Sequence, residues 1–597
     1  MSNLEAIKDT AAEQRLFAGR LILAGVLVVL ASAAVMARLT QLQVYEHEYY
    51  ADLAAGNQTR LEAAPPTRGL ILDRNGEILA ENVPAYQLEM IAEQVDDVDA
   101  TLERLRDAGL VSPEQLERID ERRRRTAPFN PVTLVPNMDD TAVATFTRLR
   151  PWFPGVDIRA RLVRYYPHGE LAAHALGYVG GLSAEDLATI DRSNYQGTDH
   201  IGKTGVERAF EPLLHGQTGH TAVVTTAEGR AVSFEARAEP NPGDHLHLTL
   251  DLTLQRVAEQ ALAGKRGAIV ALDPNTGDIL AMASAPTYDP NLFVNGMSTA
   301  VFDGLQNNPD RPLFNRAITG RYPPGSTIKP ILGFGALDSG RTSPGRTIDC
   351  KGHFSLPGST HRYRDWKPEG HGLVDLKEAI AQSCDVYFYE LAQDMDIDLM
   401  HSYLTEFGLG DALGIDIAGE REGLIPSREW KESRFSRRAD QVWFPGETVI
   451  ASIGQGYMLA TPLQLAHVAA TIATRGQRFQ PRLTLRHQDP VSGDIVDYAP
   501  ATLAEVQRGD QDTWNHTIDA MAAVLKSPTG SAYAAGRDAS YSLAGKSGTA
   551  QVFSVAQEDE YDDLELDERL RDHALFIAFA PFSTMTATAI CGVSTGA

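Results

Sequence analysis

Cysteine is scarce in this chain, with Cys350, Cys384 and Cys591 the only three among 597 residues. Three thiols cannot staple a chain of that length, so a disulfide scaffold is excluded and stability has to come from packed cores. Positive charge is also short: 54 Lys and Arg face 79 Asp and Glu, for a net charge of -25. A nucleic-acid partner requires a concentrated basic face, and the one basic run, Arg122-Arg123-Arg124-Arg125, reads as a solvated surface. There is no internal repeat and no low-complexity block.

Long apolar runs are absent with one exception. From Leu21 to Ala37 no charge interrupts the chain, and Arg20 and Arg38 bracket the run. It is just long enough to span a bilayer if Arg20 snorkels. Lys8, Arg15 and Arg20 precede it, an excess that keeps the N-terminus in the cytoplasm and sends the rest across. Ala31-Ser32-Ala33 would suit cleavage of a signal peptide, but the run exceeds the usual signal core, so an uncleaved anchor is expected. The chain then divides into a tail over 1–16, an anchor over 17–37, a β-rich pedestal over 38–240 and a catalytic body over 241–597.

In the pedestal, Arg68 to Ala80 reads as strand, Asn75-Gly76 turn and strand, with helical patterns around 100–125 and 140–149. The pattern changes at Asn241-Pro242-Gly243. Beyond it, two apolar strands over 267–272 and 279–284 flank the turn Asp273-Pro274-Asn275-Thr276-Gly277, a hairpin that would start a central antiparallel sheet. Helices around that sheet give an α/β, or α+β, body. The acidic run over 558–568 reads as a solvated loop, with a dock for a basic partner as its functional alternative.

The chemistry starts at Tyr322-Pro323-Pro324-Gly325-Ser326-Thr327-Ile328-Lys329-Pro330. Side chains three apart on a helix share a face, so Lys329 reaches Ser326. Pro330 is tolerated only near a helix start, which places Ser326 there, facing free N–H groups. A serine needs a base, and an amine base has to be partly neutral through burial or a neighbouring cation. Ser-x-x-Lys alone is a common coincidence. It gains weight because Ser383-Cys384-Asp385 and Lys546-Ser547-Gly548-Thr549 follow in the order of the three-element serine acyl-transfer signature. Ser383 would relay a proton to the leaving amine, and Lys546 would supply the second cation, leaving Lys329 as base. Ser547, Gly548 and Thr549 would bind substrate, with Thr549 offering a hydroxyl to a carboxylate and an N–H to an oxyanion hole shared with Ser326.

A competing reading comes from Gly197 to Thr204, which matches the phosphate-binding loop pattern residue for residue. That loop requires a buried apolar strand before it, whereas Asp191-Arg192-Ser193-Asn194-Tyr195-Gln196 is polar. No nucleotide partner is therefore expected. Cys350, Asp365, His371 and Cys384 offer two sulfurs, an imidazole and a carboxylate, enough for a closed tetrahedral zinc site. A Cys350–Cys384 disulfide and two unrelated thiols are equally open on the residues alone.

With these elements in place, the chain resembles the class B penicillin-binding proteins, specifically the rod-elongation type, penicillin-binding protein 2. Segments 68–82, 164–181, 202–219 and Ser452-Ile453-Gly454-Gln455-Gly456 are also similar to that family. The resemblance implies a serine transpeptidase fold, anchored in the cell inner membrane with its body in the periplasm. It implies D,D-transpeptidation of peptidoglycan stem peptides through a Ser326 acyl-enzyme, trapping by β-lactams, and carboxypeptidase activity when water accepts. It implies a RodA-like membrane glycosyltransferase of the elongation complex as partner, and a structural zinc near Cys350, where relatives carry aspartate. Asp385 stands where most relatives have asparagine, although aspartate is familiar in the rod-type branch. The chain stops at Ala597 just after an expected strand over 586–593, where the family continues into a helix, so a truncated sequence is expected. The division-type transpeptidase shares every catalytic element, and a non-catalytic scaffold is the third reading. The aspartate and the Cys/Asp/His cluster favour the elongation type, and the intact signature speaks against a relic.

Overall fold

The computed structural model describes residues 10–50, 59–126, 128–129, 131–225, 231–294, 296–551, 571–581 and 588–594, so the acidic run over 558–568 lies outside the described residues. The described chain falls into two units. In the first, the helix Thr10–Thr40 continues into a π-helical turn, Gln41–Tyr45, and includes the apolar run. The segment Gln14–Tyr45 is long and apolar enough to cross a membrane, and Leu21, Leu27 and Val29 are exposed on it. The same unit holds a three-stranded antiparallel sheet of Thr59–Ala64, Gly219–Thr225 and Ala231–Ala238.

The second unit spans 65–217 and 240–594. The expected hairpin at Asn75-Gly76 is present between Ile71–Leu72 and Ile78–Ile91, with Gly76 at φ +92 and Asp73 Oδ1 accepting the Asn75 and Glu77 N–H groups. These strands belong to a seven-stranded mixed sheet. In it, His245–Leu248 runs parallel to Ile71–Leu72 and antiparallel to Thr484–Gln488. The sheet therefore continues across 240/241, where the sequence changes pattern. The expected helical stretch around 100–125 is two helices, Val98–Asp107 and Pro113–Arg125, parted at Gly109, whose φ of +72 ends the first. They bury Leu102, Leu105 and Ile119 with Leu88, Leu134 and Phe146 in a separate small core.

The catalytic core is a five-stranded antiparallel sheet in the order Ile279–Ala285, Gly267–Leu272, Thr588–Ser594, His573–Ala580, Ala544–Ala550. Its two faces follow from strand alternation. Ala268, Val270 and Leu272 join the main core with Leu465 and Ala469 of the apolar helix Pro462–Ala473. Ala271, Ala281 and Ala283 face Ala258 and Leu262 at the other helix, Leu252–Ala261. Ala544–Ala550 is an edge strand, leaving one row of its backbone groups unpaired by the sheet. The helices Lys329–Asp338, Leu376–Ala381 and Gln511–Lys526 pack together beside that edge.

Candidate active site

Ser326 lies in a 3-10 turn, Gly325–Ile328, and the α-helix proper is Lys329–Asp338. The α-helix thus starts later than the sequence suggested. Pro330 occupies its first turn, and the Thr327 hydroxyl donates to Pro324 O at 2.6 Å, tightening the turn before it. In a 3-10 turn residues i and i+3 eclipse, which keeps Ser326 and Lys329 on one face, although the hydrogen bonds of the Lys329 amine among the described residues go to Asp385 and Ser383 and not to the Ser326 hydroxyl. Gly325 has φ +54, and a Cβ there would lie 2.5 Å from Thr549 O. Behind it, Gly325 N–H donates to Gly454 O at 2.9 Å, and a Cβ on Gly454 would sit 2.1 Å from Gly325 O. The nucleophile turn is therefore clamped between the Ser452–Gly456 turn and the edge strand.

Lys329 is fully buried and donates to Asp385 Oδ1 at 2.6 Å and to Ser383 O at 2.9 Å. Ser383 has φ +60, a strained conformation for a side chain other than glycine. Its hydroxyl accepts from Lys546 Nζ at 2.8 Å, and Lys546 also donates to Ser547 O at 2.7 Å. Burial first, and then the charge of Lys329, push the Lys546 amine well below its ordinary value, with Asp385 opposing the shift. This differs from the sequence expectation of Lys546 as the supporting cation. Two buried amines repel each other, and the hydrogen bonds of Lys546 among the described residues go to the Ser383 hydroxyl and Ser547 O, so it is driven toward the neutral form. Asp385, read from the sequence as a departure that removes an amide donor, pairs with Lys329 at 2.6 Å.

On the edge strand, Thr549 O accepts from Gln455 Nε2 at 3.2 Å. The N–H and C=O of one strand residue point to the same side, so the Thr549 N–H also faces away from the sheet. Gly548 lets the strand approach the nucleophile turn, since a Cβ would meet Thr327 Cγ2 at 2.8 Å. Ser547 is half-buried, and its hydroxyl shares a 2.7 Å hydrogen bond with Ser531. Sequence reasoning missed the contacts of Gln455 and Ser531. Both depend on chain segments far from the residues they touch, and only the Ser452–Gly456 phrase hinted at the first.

The other cluster also assembles. Cys350, Asp365, His371 and Cys384 place one ligand atom each within 4.8 Å of one another. Cys350 Sγ lies 3.5 Å from Asp365 Oδ2 and 3.5 Å from His371 Nδ1, which in turn lies 3.5 Å from Asp365 Oδ1. Zinc–ligand bonds of about 2.0–2.3 Å at tetrahedral angles give about 3.5 Å between ligands, so the donor set fits that ion. Burial lowers the His371 pKa, favouring the neutral ligand form, and burial with the Asp365 carboxylate raises that of the Cys384 thiol. All three cysteines are free. Asp365 Oδ2 also accepts the Asp385 and Val386 N–H groups at 2.8 and 3.1 Å, and Trp366 N–H donates to Asp385 Oδ2 at 3.2 Å. The cluster is thus bonded directly to the helix start that carries Asp385.

The phosphate-loop pattern builds no comparable site. Lys203 pairs with Asp186, and the Gly202 N–H donates to Glu211 Oε2 at 2.9 Å, so both groups face carboxylates.

Comparison with known proteins gives the family. A profile for the penicillin binding protein transpeptidase domain matches residues 267–591, and one for the penicillin-binding protein dimerisation domain matches 63–248. The chain is 41% identical to peptidoglycan D,D-transpeptidase MrdA of Acinetobacter baumannii, covering 96% of this chain and 84% of that one. Among solved structures, Pseudomonas aeruginosa PBP2 in complex with WCK 5153 is 36% identical with a TM-score of 0.67, covering 90% of this chain and 92% of that one. Helicobacter pylori PBP2 in complex with MreC is 29% identical with a TM-score of 0.75, covering 90% and 95%. The ordered signature, the fold and this near full-length identity together place the chain: it belongs to the penicillin-binding proteins, in the elongation branch of peptidoglycan D,D-transpeptidases that bear the names MrdA and PBP2.

Proposed function

We propose that the chain crosslinks peptidoglycan stem peptides through an acyl-enzyme on Ser326. The observation that supports this best is the continuous set of contacts from Lys329 through Asp385 and Ser383 to Lys546, beside a nucleophile turn packed on an open strand edge. The donor stem lies along the outward row of the edge strand. Ser326 Oγ attacks the penultimate D-Ala carbonyl, and the N–H groups of Ser326 and Thr549 hold the oxyanion. The Ser326 proton passes to the Lys329 and Lys546 amines and returns through the Ser383 hydroxyl to the departing D-Ala amine. An amine of a second stem then attacks the ester, gives its proton to the same pair and frees Ser326. Water in place of that amine gives carboxypeptidase activity, and a β-lactam leaves an ester that persists. Ser547 and Thr549 hold the terminal carboxylate of the donor.

The reading includes a structural zinc on Cys350, Asp365, His371 and Cys384, which supplies rigidity to the loop beneath Asp385 and takes no part in a chemical step. It also includes an N-terminus in the cytoplasm, a periplasmic body and a RodA-like glycosyltransferase partner in the elongation complex. Support for that complex is the structure of the H. pylori relative with MreC. Labelling with fluorescent penicillin tests the core of the proposal. The wild-type chain takes up one label, released D-Ala accompanies stem-peptide turnover, and folded Ser326→Ala takes up none. Stoichiometric labelling of that variant would overturn the assignment.

A further inference from the structure

Ser531 belongs to none of the three signature elements, yet it touches both walls of the cleft. Its N–H donates to Ala381 O at 2.9 Å, at the end of the helix Leu376–Ala381 that leads into Ser383. Its hydroxyl lies 2.7 Å from the Ser547 hydroxyl on the edge strand. The turn around it is closed by backbone bonds and by the Ser527 hydroxyl, which lies 2.9 Å from the Thr529 hydroxyl. Gly530 N–H donates to Ser527 O, Ala532 N–H donates to Val524 O, and a Cβ on Gly530 would meet Val524 O at 2.3 Å. The Ser531 hydroxyl is therefore not needed to close its own loop. Its one hydrogen bond among the described residues goes to the substrate-facing strand.

A serine hydroxyl has a single proton and two lone pairs. If Ser547 donates to Ser531, its proton points away from the cleft. If Ser531 donates to Ser547, the Ser547 proton is free for a ligand acceptor. An anion in the cleft selects the second arrangement, because a hydroxyl that accepts one hydrogen bond donates a stronger one to a charged acceptor. Lys546 Nζ, on Ser547 O at 2.7 Å, adds a donor dipole at the same residue.

We infer that Ser531 is a positioning residue for carboxylate recognition: its hydroxyl donates to Ser547 and aims the Ser547 proton at the terminal carboxylate of the donor stem or of a penicillin. This rests on the proposed role of Ser547, and the test separates the two. Acylation by benzylpenicillin and by its methyl ester is measured in competition with fluorescent penicillin, resolving the binding constant from the maximal acylation rate. In Ser531→Ala, binding of the free acid weakens roughly fivefold, the worth of a hydrogen bond between two neutral hydroxyls. The maximal acylation rate and the behaviour of the ester stay within about twofold of wild type. Ser531→Thr, which restores the hydroxyl, recovers acid binding. Equal losses for acid and ester, a loss confined to the maximal rate, or no loss would each overturn the inference. Ser547→Ala is the reference: if it too leaves the acid-to-ester ratio unchanged, the carboxylate role of Ser547 fails. If it collapses that ratio while Ser531→Ala does not, only the relay fails.

Discussion

Gly325→Ala isolates the contact between the nucleophile turn and the edge strand. The new Cβ would start 2.5 Å from Thr549 O, whereas real Cβ contacts do not fall below 3.0 Å, so the two elements must part by at least 0.5 Å. The turn cannot retreat, since Gly454 packs against its other side with a would-be Cβ 2.1 Å from Gly325 O. The strand therefore moves, taking the Thr549 N–H out of register with Ser326. A misplacement approaching 1 Å costs on the order of a hundredfold in rate, so acylation should slow by about ten- to a hundredfold. The φ of +54 adds a separate loss of about 1–2 kcal/mol in stability, which any L side chain incurs in the left-handed region. Gly340→Ala separates the two effects: its φ is +68 and nothing lies within 4 Å of its Cβ position. It should lose similar stability and label at the wild-type rate. Time courses of penicillin labelling with thermal melts for both variants decide the matter. A folded Gly325→Ala protein that labels within about threefold of wild type would refute the geometric reasoning.

The pH profile tests the lysine pair. Unfolded Lys546 keeps its proton up to its ordinary value of 10.5, but the folded residue releases it well below that. Between those values the unfolded chain binds the extra proton, so the contribution of Lys546 to stability grows as pH rises through the window and is absent beneath it. Acylation should rise over the same limb, and Lys546→Arg, permanently charged, should be slow and lack the rise; a variant that retains it would contradict the assignment. In the pedestal, Glu207 is fully buried, and although burial raises its pKa, Arg164 and Arg68 outweigh that effect. Arg164→Met, which leaves a buried carboxylate with one cation fewer, should cost about 3 kcal/mol in denaturant unfolding while the folded fraction labels normally. Protein purified without chelator should contain about one zinc per chain. Metal removal should lower the melting temperature and slow acylation together. Metal-free protein in which Cys350 and Cys384 are oxidised to each other would replace the metal by a disulfide.

What the residues determined alone was local. The Asn75-Gly76 hairpin, the turn at Asp273 to Gly277, the apolar helix and the Ser326–Lys329 face depend on neighbours a few positions apart, whose geometry follows from backbone periodicity. The order of the three signature elements was equally legible, and with it the acyl-transfer chemistry. Tertiary structure decided what each group experiences. Ser383 and Lys546 meet across 163 positions, and Asp385 reaches Lys329 across 56. The sequence assigned Lys546 a supporting positive charge because spacing cannot report desolvation. Only full burial beside a second amine, with the carboxylate bonded to the other lysine, drives Lys546 toward neutrality. The left-handed Ser383, the strand register that turns Thr549 outward, and the Ser531–Ser547 contact are products of packing between distant segments. No local pattern specifies them, because their free energy comes from contacts the chain makes only once the sheet and its helices have closed.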